Sequence, residues 1–469
     1  MNGGLPMDYS IVITGGTVVT PRGVRRADIA VRSGKIVKVG TVGKSARQRA
    51  RKVFDASGCY VMPGAIDPHV HLALPIGPKM TTSDDFDTGT RAALAGGVTT
   101  IIDYTTPEQG QRPLDAFRQR RALADPAVHC DYGLHNVLIG WEQKWKSDLA
   151  RLVKLGAPSV KMFMIYKDRG WQADDGMLLS VMQQSKSLGV QVCVHAENDS
   201  LITHYTSMVV GLPRKKQEGA FALSMARPAI CEEEAASRAI LLAGYTGAKL
   251  HLVHLSTAGA ALAVRDAREN RVRVTAETCP QYLSLDSKML KGSRGHFFGC
   301  CPPLRTARHR RTLFRALCDG WLDVVGTDHC TFTIDQKNTW DQDFKNIPYG
   351  LPGLETMLSV TWSLGPAREK MDVQRWAYIH TEGPAKTFGL WPRKGSLQIG
   401  TDADIIVWDP RRTRKIRPHV METRSDWNPY EEKRLKGVAR YVFLRGMEVV
   451  TEGKYLQRPI KGRYILRRK

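Results

Sequence analysis

Five side chains of types that commonly bind metal ions stand at the ends of predicted strands in this 469-residue chain. His69 and His71 lie two residues apart, so in a strand both point to one face and can bind one ion. His195, His254 and Asp328 each end a later predicted strand. Imidazole and carboxylate groups suit zinc or a similar divalent ion, and a catalytic site keeps one position open for water. The spacing therefore predicts a catalytic metal site.

The number of these ligands raises the question of a second ion. Four histidines and one aspartate are too many for one open tetrahedral ion and slightly too few for two, so a bridging anion is wanted. Lys161 lies on a predicted strand over residues 159–166 and can point into the same group. An ammonium beside two dications is repelled, which lowers its pKa, and the neutral amine can take up carbon dioxide to form an anionic carbamate. A surface lysine or a phosphate-binding cation is the alternative.

The middle of the chain alternates apolar segments of strand length with helical segments, which is typical of βα units around a parallel sheet. The eight predicted strands span residues 60–72, 98–105, 128–138, 159–166, 190–196, 250–256, 273–278 and 322–327. Predicted helices span residues 84–95, 141–155, 176–188, 232–244 and 257–270, with Asp84 and Thr257 as N-caps. Eight units predict an α/β fold, the (β/α)8 TIM barrel, whose chemistry belongs at the carboxyl ends of the strands.

Both ends of the chain contain short predicted strands separated by glycine-containing turns. We therefore predict a small β-sandwich domain built from both chain ends. Its N-terminal part spans residues 1–62, the TIM-barrel catalytic domain spans 63–390, and its C-terminal part with a basic tail spans 391–469.

The chain is strongly basic, with 69 Lys and Arg against 46 Asp and Glu and a formal net charge of +23. Residues 411–469 contain 18 basic and 6 acidic residues and so hold about half of this excess. No zinc-finger spacing or aromatic-interleaved binding module accompanies them. A solvated basic surface or a subunit contact is the preferred interpretation, and nucleic-acid binding is the alternative.

Targeting signals and cysteine usage bear on the compartment. The first residues lack the charged and then apolar pattern of a signal peptide, and no apolar run approaches the ~18 residues of a membrane span. The nine cysteines are odd in number and form no Cys-x-x-Cys pair, which favours reduced thiols. We expect a cytoplasmic protein with no membrane segment.

Several motifs together resemble the hydantoinase and dihydropyrimidinase branch of the amidohydrolase superfamily, nearly from end to end. The first motifs are Asp67-Pro-His-Val-His, Ser159-Val-Lys-Met-Phe, Val194-His-Ala-Glu, Val253-His, Thr275-Ala-Glu-Thr-Cys-Pro-Gln-Tyr and Gly326-Thr-Asp-His-Cys-Thr-Phe. Further similar segments are Ser83-Asp-Asp-Phe-Asp-Thr-Gly-Thr, Cys301-Pro-Pro-Leu-Arg and Asp426-Trp-Asn-Pro-Tyr-Glu. The resemblance implies two divalent ions, zinc or else manganese, and a homotetramer. It assigns His69, His71 and Asp328 to one ion, His195 and His254 to the other, and a bridging role to carbamylated Lys161.

This resemblance implies a metal-dependent cyclic amidase. Such an enzyme opens the ring of a hydantoin, a dihydropyrimidine or a similar cyclic ureide to an N-carbamoyl amino acid. Asp328 is the one carboxylate that we can place at the rim, where it can take the proton of the attacking water and pass it to the departing ring nitrogen. Tyr166 resembles the family tyrosine that donates to the developing oxyanion, with a packing aromatic as its alternative.

Two departures from the family pattern concern the substrate. Cys301 stands where serine is usual before Pro-Pro-Leu-Arg, and Tyr349 stands where asparagine is usual after Ile-Pro. In the family these positions bind the ring largely through backbone groups, so we expect binding to survive and specificity to shift. Leu74 and Ile76, together with Tyr166 and Tyr349, predict apolar and aromatic surroundings for the ring substituent.

Two other functions remain open at this point. A dihydroorotase or allantoinase type of cyclic amidase is favoured by Gly353-Leu-Glu-Thr, but its acidic substrate would want an arginine inside the rim, which the sequence cannot place. A non-enzymatic scaffold of the same fold is expected to lose metal ligands, and every expected ligand is present here.

Overall fold

The computed structural model describes residues 9–21, 23–77, 80–458 and 460–469. Its largest sheet contains eight parallel strands in chain order. They are Ala65–Val70, Val98–Tyr104, Asp131–Val137, Ser159–Phe163, Gln191–His195, Lys249–Leu252, Val274–Thr278 and Val324–Val325. Val70 pairs in parallel with His329, which closes the sheet between its first and last strands. The TIM-barrel prediction is confirmed.

Helices surround the barrel and form parts of its two rims. The α-helices are Lys44–Gln48, Phe86–Gly96, Pro113–Ala124, Lys146–Lys154, Asp175–Leu188, Asp199–Val210, Arg214–Gln217, Ala222–Ala226, Ala229–Thr246, Ala258–Glu269, Pro280–Ser284, Ala307–Cys318, Ile334–Asn338, Met357–Leu364, Val373–His380 and Glu382–Thr387. Short 3-10 helices are Gln143–Trp145, Lys167–Arg169, Gly219–Phe221, Ser287–Leu290, Gly295–Phe298, Phe344–Asn346, Pro366–Arg368 and Pro418–Val420. In the longest helix the buried residues Ala235, Ala236, Ala239 and Ala243 recur at helical spacing, so one small-residue face packs onto the barrel.

The two predicted N-caps have different outcomes. Thr257 caps the helix Ala258–Glu269, because its side chain accepts a hydrogen bond from the Ala260 amide. The prediction of Asp84 is wrong, since Asp85 is the N-cap of the helix Phe86–Gly96. Asp84 is fully buried, and its carboxylate oxygen Oδ2 forms a hydrogen bond with His329 Nε2 at 3.0 Å. The Asp84 carboxylate therefore binds a residue that is distant in sequence instead of capping the adjacent helix.

The predicted strand over residues 60–72 is also wrong as a single element, because the structure divides it. Tyr60–Pro63 belongs to a sheet of the small domain, and Ala65–Val70 is the first barrel strand. Gly64 lies between them, where a Cβ atom would stand 2.1 Å from Thr99 Oγ1. Only a residue without a side chain fits this close approach.

The second domain contains two sheets made from both ends of the chain. Strands Lys35–Gly40, Asp28–Arg32, Ile11–Thr14 and Lys52–Asp55 form the smaller sheet, in spatial order. The larger sheet has the order Lys454–Tyr455, Met447–Thr451, Arg434–Leu444, Ile405–Lys415, Tyr60–Pro63, Thr17–Thr20 and Gly23–Arg26. A separate hairpin pairs Pro75–Gly77 with Met80–Thr81. The bounds that we predict for the domains stay a prediction.

Alternate residues of the larger sheet serve two cores. Val61 and Val407 pack with residues of the smaller sheet in one apolar cluster. Met62, Ile406 and Trp408 belong instead to the cluster that includes the barrel. Successive side chains of a strand point to opposite faces of the sheet. One face of this sheet therefore packs inside the sandwich, and the other packs against the barrel.

A buried ion cluster also joins the two domains. The ammonium of Lys394 lies 2.5 Å from both Asp131 and Asp404 and 3.1 Å from Asp402. Asp131 begins the third barrel strand, whereas Asp402 and Asp404 precede a strand of the larger sheet. A lysine that is 1% exposed remains charged here because three carboxylates surround it.

The C-terminal segment completes the amino-terminal end of the barrel. The Tyr132 amide donates to the Arg463 carbonyl at 2.9 Å, and the Ile465 amide donates to the Tyr132 carbonyl at 2.8 Å. This edge of the third strand is available because its pairing with the fourth strand begins farther along, at Asn136. The basic region is therefore not uniformly solvated, and Arg467 is 3% exposed.

Among the described residues, none of the helices combines the length and the apolar composition that crossing a membrane requires.

Close packing of the C-terminal segment against Gly389 gives a stability prediction. Gly389 has φ +74°, and a Cβ there would lie 1.7 Å from the Arg468 carbonyl oxygen. Gly110 has nearly the same φ of +73° with nothing within 4 Å of its Cβ position. Gly110→Ala should cost about 1–2 kcal/mol of left-handed strain, and Gly389→Ala should cost clearly more because the segment must move. Urea unfolding measures both losses, and equal losses would contradict this packing argument.

Candidate active site

Three predicted ligands meet at the seam where the barrel closes. His69 lies on the first strand, His71 follows it, and Asp328 follows the last strand. The Nε2 atoms of His69 and His71 lie 3.2 and 3.1 Å from Asp328 Oδ1. The ligand atoms of all three residues lie within 4.8 Å of one another, a spacing that suits one metal ion.

The other two histidines extend this group across the rim. His195 ends the fifth strand, and His254 follows the sixth. Their ring centroids are 4.5 Å apart, and the rings of His254 and His69 are 5.3 Å apart. Burial lowers the pKa of His195 and takes that of His254 well below its ordinary value. Neutral imidazole is the form that binds metals.

Backbone strain is concentrated at the same rim. His254 and Asp328 have φ values of 41° and 52°, and Tyr166 has φ 73°. Left-handed backbone is unfavourable for residues with a side chain, and it persists where the surrounding structure imposes it, commonly at functional sites.

Lys161 is buried on the fourth strand, with 1% of its surface exposed, so the surface-lysine alternative is wrong. Its ammonium lies 5.4 Å from the ring centroid of Tyr104 and 5.2 Å from that of Phe163. Within the described part of the chain, no carboxylate forms an ion pair with it. Burial lowers the pKa of Lys161 from 10.5 to about 8. A neutral amine is therefore easier to form here than in water.

The donor set fits divalent metal ions. Two imidazoles share one carboxylate oxygen, and two further imidazoles lie beside them. Lys161 fits beside such ions when its nitrogen carries no positive charge, since like charges at this depth repel strongly.

Glu277 is a site residue that sequence reasoning missed. It lies on the seventh strand, 1% exposed, and its Oε1 is bound to His69 Nδ1 and accepts from the His254 amide at 3.1 Å. Its Oε2 lies 3.3 Å from His251 Nε2. This carboxylate fixes the orientation of His69, so that Nε2 faces Asp328. The available signal was a glutamate inside a predicted barrel strand, observed as Val274–Thr278.

Glu197 and Arg227 were missed as well. Glu197 is fully buried and accepts from His195 Nε2 and from Arg227 Nη1, both at 2.8 Å. The guanidinium carbon of Arg227 lies 6.0 Å from the Tyr166 ring centroid and 5.7 Å from that of Tyr349. The rim thus contains an arginine that the sequence could not place, and Glu197 balances its charge.

The predicted substrate-binding residues lie on one side of this group. The Tyr166 ring centroid is 5.7 Å from that of His195, and burial raises the pKa of Tyr166 well above its ordinary value. Cys301 is 8% exposed and belongs to an apolar cluster against which Tyr349 packs. The Tyr349 hydroxyl donates to the Phe344 carbonyl at 3.1 Å.

Leu74 and Ile76 are placed differently. Both are partly buried and lie where the chain leaves the first barrel strand, with Ile76 in the hairpin Pro75–Gly77 with Met80–Thr81. Among the hydrogen bonds, ion pairs and ring contacts of the described residues, none joins either side chain to the histidine group. Their role stays a prediction.

Lys337 links the two segments that carry Cys301 and Tyr349. It is fully buried, and its ammonium donates to the carbonyls of Pro348 at 2.5 Å and Gly299 at 3.3 Å. One cation thus fixes the backbone just before both residues. No sequence pattern indicated this role.

Comparison with known proteins places this geometry in context. The sequence profile of the amidohydrolase family matches residues 60–431. A D-hydantoinase of Geobacillus stearothermophilus is 35% identical over 98% of this chain and 96% of its own length. A D-phenylhydantoinase of Escherichia coli is 34% identical over 98% of both chains.

Solved structures are similar over the same extent. The crystal structure of dihydropyrimidinase from Brevibacillus agri superposes with a TM-score of 0.93 at 35% identity, covering 97% of this chain and 98% of that one. An L-hydantoinase from Arthrobacter aurescens gives a TM-score of 0.87 at 26% identity over 98% and 100% of the two chains.

The contact of Glu277 with His69 gives a prediction for metal affinity. Glu277→Gln removes the anionic acceptor that orients His69, so the affinity for divalent ions should fall about 10–100-fold while the fold remains. A titration against a competing chelator measures this affinity. Glu232→Gln is the matched control, because Glu232 is equally buried but accepts from the Ser256 and Thr257 amides at 2.9 and 3.0 Å. Equal affinities in the two variants would contradict the role of Glu277.

Proposed function

Because this chain belongs to the amidohydrolase family, we propose that it is a metal-dependent cyclic amidase that opens hydantoins or dihydropyrimidines to N-carbamoyl amino acids. The observation that carries the proposal is the convergence of His69, His71, His195, His254 and Asp328 at the carboxyl-terminal rim of one barrel. Similarity to D-hydantoinases over 98% of the chain supports the same activity.

We propose a set of protein ligands for each of two divalent ions, which are zinc or manganese. His69, His71 and Asp328 would hold one ion, and His195 and His254 the other. Lys161 would bridge them as a carbamate, which forms when its neutral nitrogen bonds to carbon dioxide and loses one proton. When bound, such ions make water a nucleophile near neutral pH and polarise a carbonyl group.

Asp328 is proposed as the general base and acid. Burial opposes its ionisation, but His69 and His71 keep the pKa of its carboxyl well below the ordinary value. Oδ1 faces the two imidazoles, while Oδ2 accepts no hydrogen bond from any described residue. Oδ2 is thus available to take a proton from the attacking water and to deliver it to the ring nitrogen as the C–N bond breaks.

Tyr166 is proposed to stabilise the developing oxyanion. Its hydroxyl stays protonated because burial raises its pKa, so it donates a hydrogen bond to the oxygen that gains charge. Its left-handed backbone holds the ring next to His195.

The ring substituent is proposed to lie against Tyr166, Tyr349, Leu74 and Ile76, with Cys301 contributing backbone groups. Arg227 favours a second candidate, a cyclic amidase of the dihydroorotase type, because a guanidinium stands between the two tyrosines. Its charge is already paired with Glu197 at 2.8 Å, so we propose apolar substituents as the preferred class.

The assembly and the location of the protein complete the proposal. The family resemblance supports a homotetramer, which sedimentation would measure. All nine cysteines are free and eight of them are buried, which supports a reducing, cytoplasmic location.

A substrate panel tests the activity. Metal-loaded protein should release N-carbamoyl amino acids from dihydrouracil or from hydantoins with apolar 5-substituents. Asp328→Asn should keep the fold but lose about 10²-fold or more in turnover, because the amide cannot accept the proton. Asp319→Asn, on the exposed end of a helix, is the matched control and should retain activity. If the protein opened only carboxylated rings such as dihydroorotate, the second candidate would replace ours.

Metal content tests the role of Lys161. Purified protein should hold about two divalent ions per chain, and a chelator should remove activity reversibly. Lys161→Arg keeps the charge but cannot be carbamylated, so it and Lys161→Ala should both lose the paired ions. A small carboxylic acid should partly restore Lys161→Ala by supplying two bridging oxygens. Two ions and near-normal turnover in Lys161→Arg would rule out the carbamate bridge.

A further inference from the structure

A cavity of about 370 Å³ lies at the amino-terminal ends of the barrel strands. Ser159, Gln191 and Lys249 begin the fourth, fifth and sixth strands and line it, and residues 467–469 close it from the C-terminal segment. Gln191 and His195 are the two ends of one strand, so this cavity and the candidate active site lie at opposite ends of the barrel.

The cavity is strongly cationic. Its lining contains Lys249, Lys386, Arg467, Arg468 and Lys469, and none of the described residues that line it is acidic. Of these cations, Lys386 has a carboxylate partner, Glu382 at 2.5 Å, and the other four form no ion pair with any described carboxylate. Burial, together with the neighbouring cations Arg273 and Lys469, lowers the pKa of Lys249. Four cations without a carboxylate partner among the described residues therefore line this one cavity.

Buried donors at this cavity lack acceptors. Arg467, which is 3% exposed, donates through Nη2 to Ser159 Oγ at 2.8 Å and to the Leu134 carbonyl. Its Nε and Nη1 atoms have no partner among the described residues, and neither has Nε2 of Gln191, which is 8% exposed. Buried donors are nearly always satisfied, so unpaired ones indicate a missing acceptor.

We propose that this cavity binds the phosphate group of a small molecule, either as the free ion or as an ester. Phosphate supplies several acceptor oxygens and up to two negative charges, which arginine and lysine bind together. The volume is in the range of small-molecule pockets, so it leaves room for an organic part beside the phosphate. Trp391 also lines the cavity and offers an apolar surface to that part.

Equilibrium dialysis of radiolabelled phosphate against the metal-loaded enzyme, at constant ionic strength in chloride, tests this site. The variant Lys249→Gln/Arg468→Gln removes two of the unpaired cations without touching the catalytic rim or the buried Arg467. It should bind phosphate at least tenfold more weakly than the unmodified protein while its ring-opening activity is unchanged. Retained activity shows that the variant is folded.

A charge-matched variant separates this site from general attraction of anions to a basic protein. Lys38→Gln/Arg311→Gln removes two exposed cations elsewhere on the surface and should leave phosphate binding unchanged. Equal binding by the two variants, or no saturable binding by the unmodified protein, would overturn the proposal.

Competition identifies the source of the phosphate group. If ribose 5-phosphate displaces the label at a lower concentration than phosphate does, and ribose does not displace it, the ligand is an ester. If phosphate is the stronger competitor, the ligand is the free ion. Either result supports the site, provided that the Lys249→Gln/Arg468→Gln variant loses the saturable binding of phosphate.

Discussion

Closure of the barrel between its first and last strands is the constraint on which the catalytic rim depends. Thr327 and Asp67, 260 positions apart, lock this seam, since the threonine hydroxyl and amide both donate to the carboxylate at 2.6 and 3.1 Å. The same register sets Asp328 against His69 and His71. Because parallel strands present their carboxyl ends on one side, the other predicted ligands at strand ends come to the same rim.

Buried carboxylates behind the histidines link the proposed metal ligands to an arginine at the rim. Glu277 orients His69, and Glu197 orients His195 while it also holds Arg227. Replacement of Arg227 by a neutral residue would therefore leave Glu197 without its cationic partner and disturb His195. His195 and Arg227 thus share one hydrogen-bond chain through Glu197, and the orientation of each side chain depends on the other.

Local signals in the sequence predicted what depends on strand periodicity and strand ends, which is why the barrel strands and the positions of the histidines could be anticipated. They failed where a distant partner decides the outcome. Asp84 has a suitable residue type for a cap, but His329, 245 positions away, binds it. The contacts of Glu277, Arg227 and Lys337 likewise depend on side chains brought together only by packing. Net charge could not indicate that Arg467 is buried inside the basic tail.

Gly64 has a mechanical consequence for the whole molecule. A single residue separates Tyr60–Pro63 of the sandwich from Ala65–Val70 of the barrel, and Thr99 packs directly against it. With no slack in this connection, and with Lys394 clamping the same two domains, a hinge rotation between them would have to break a sheet. We therefore expect the two domains to move as one body. We expect admission of a substrate and release of its product to depend on the loops above the rim, so that exchange of these loops between relatives alters turnover without altering the frame.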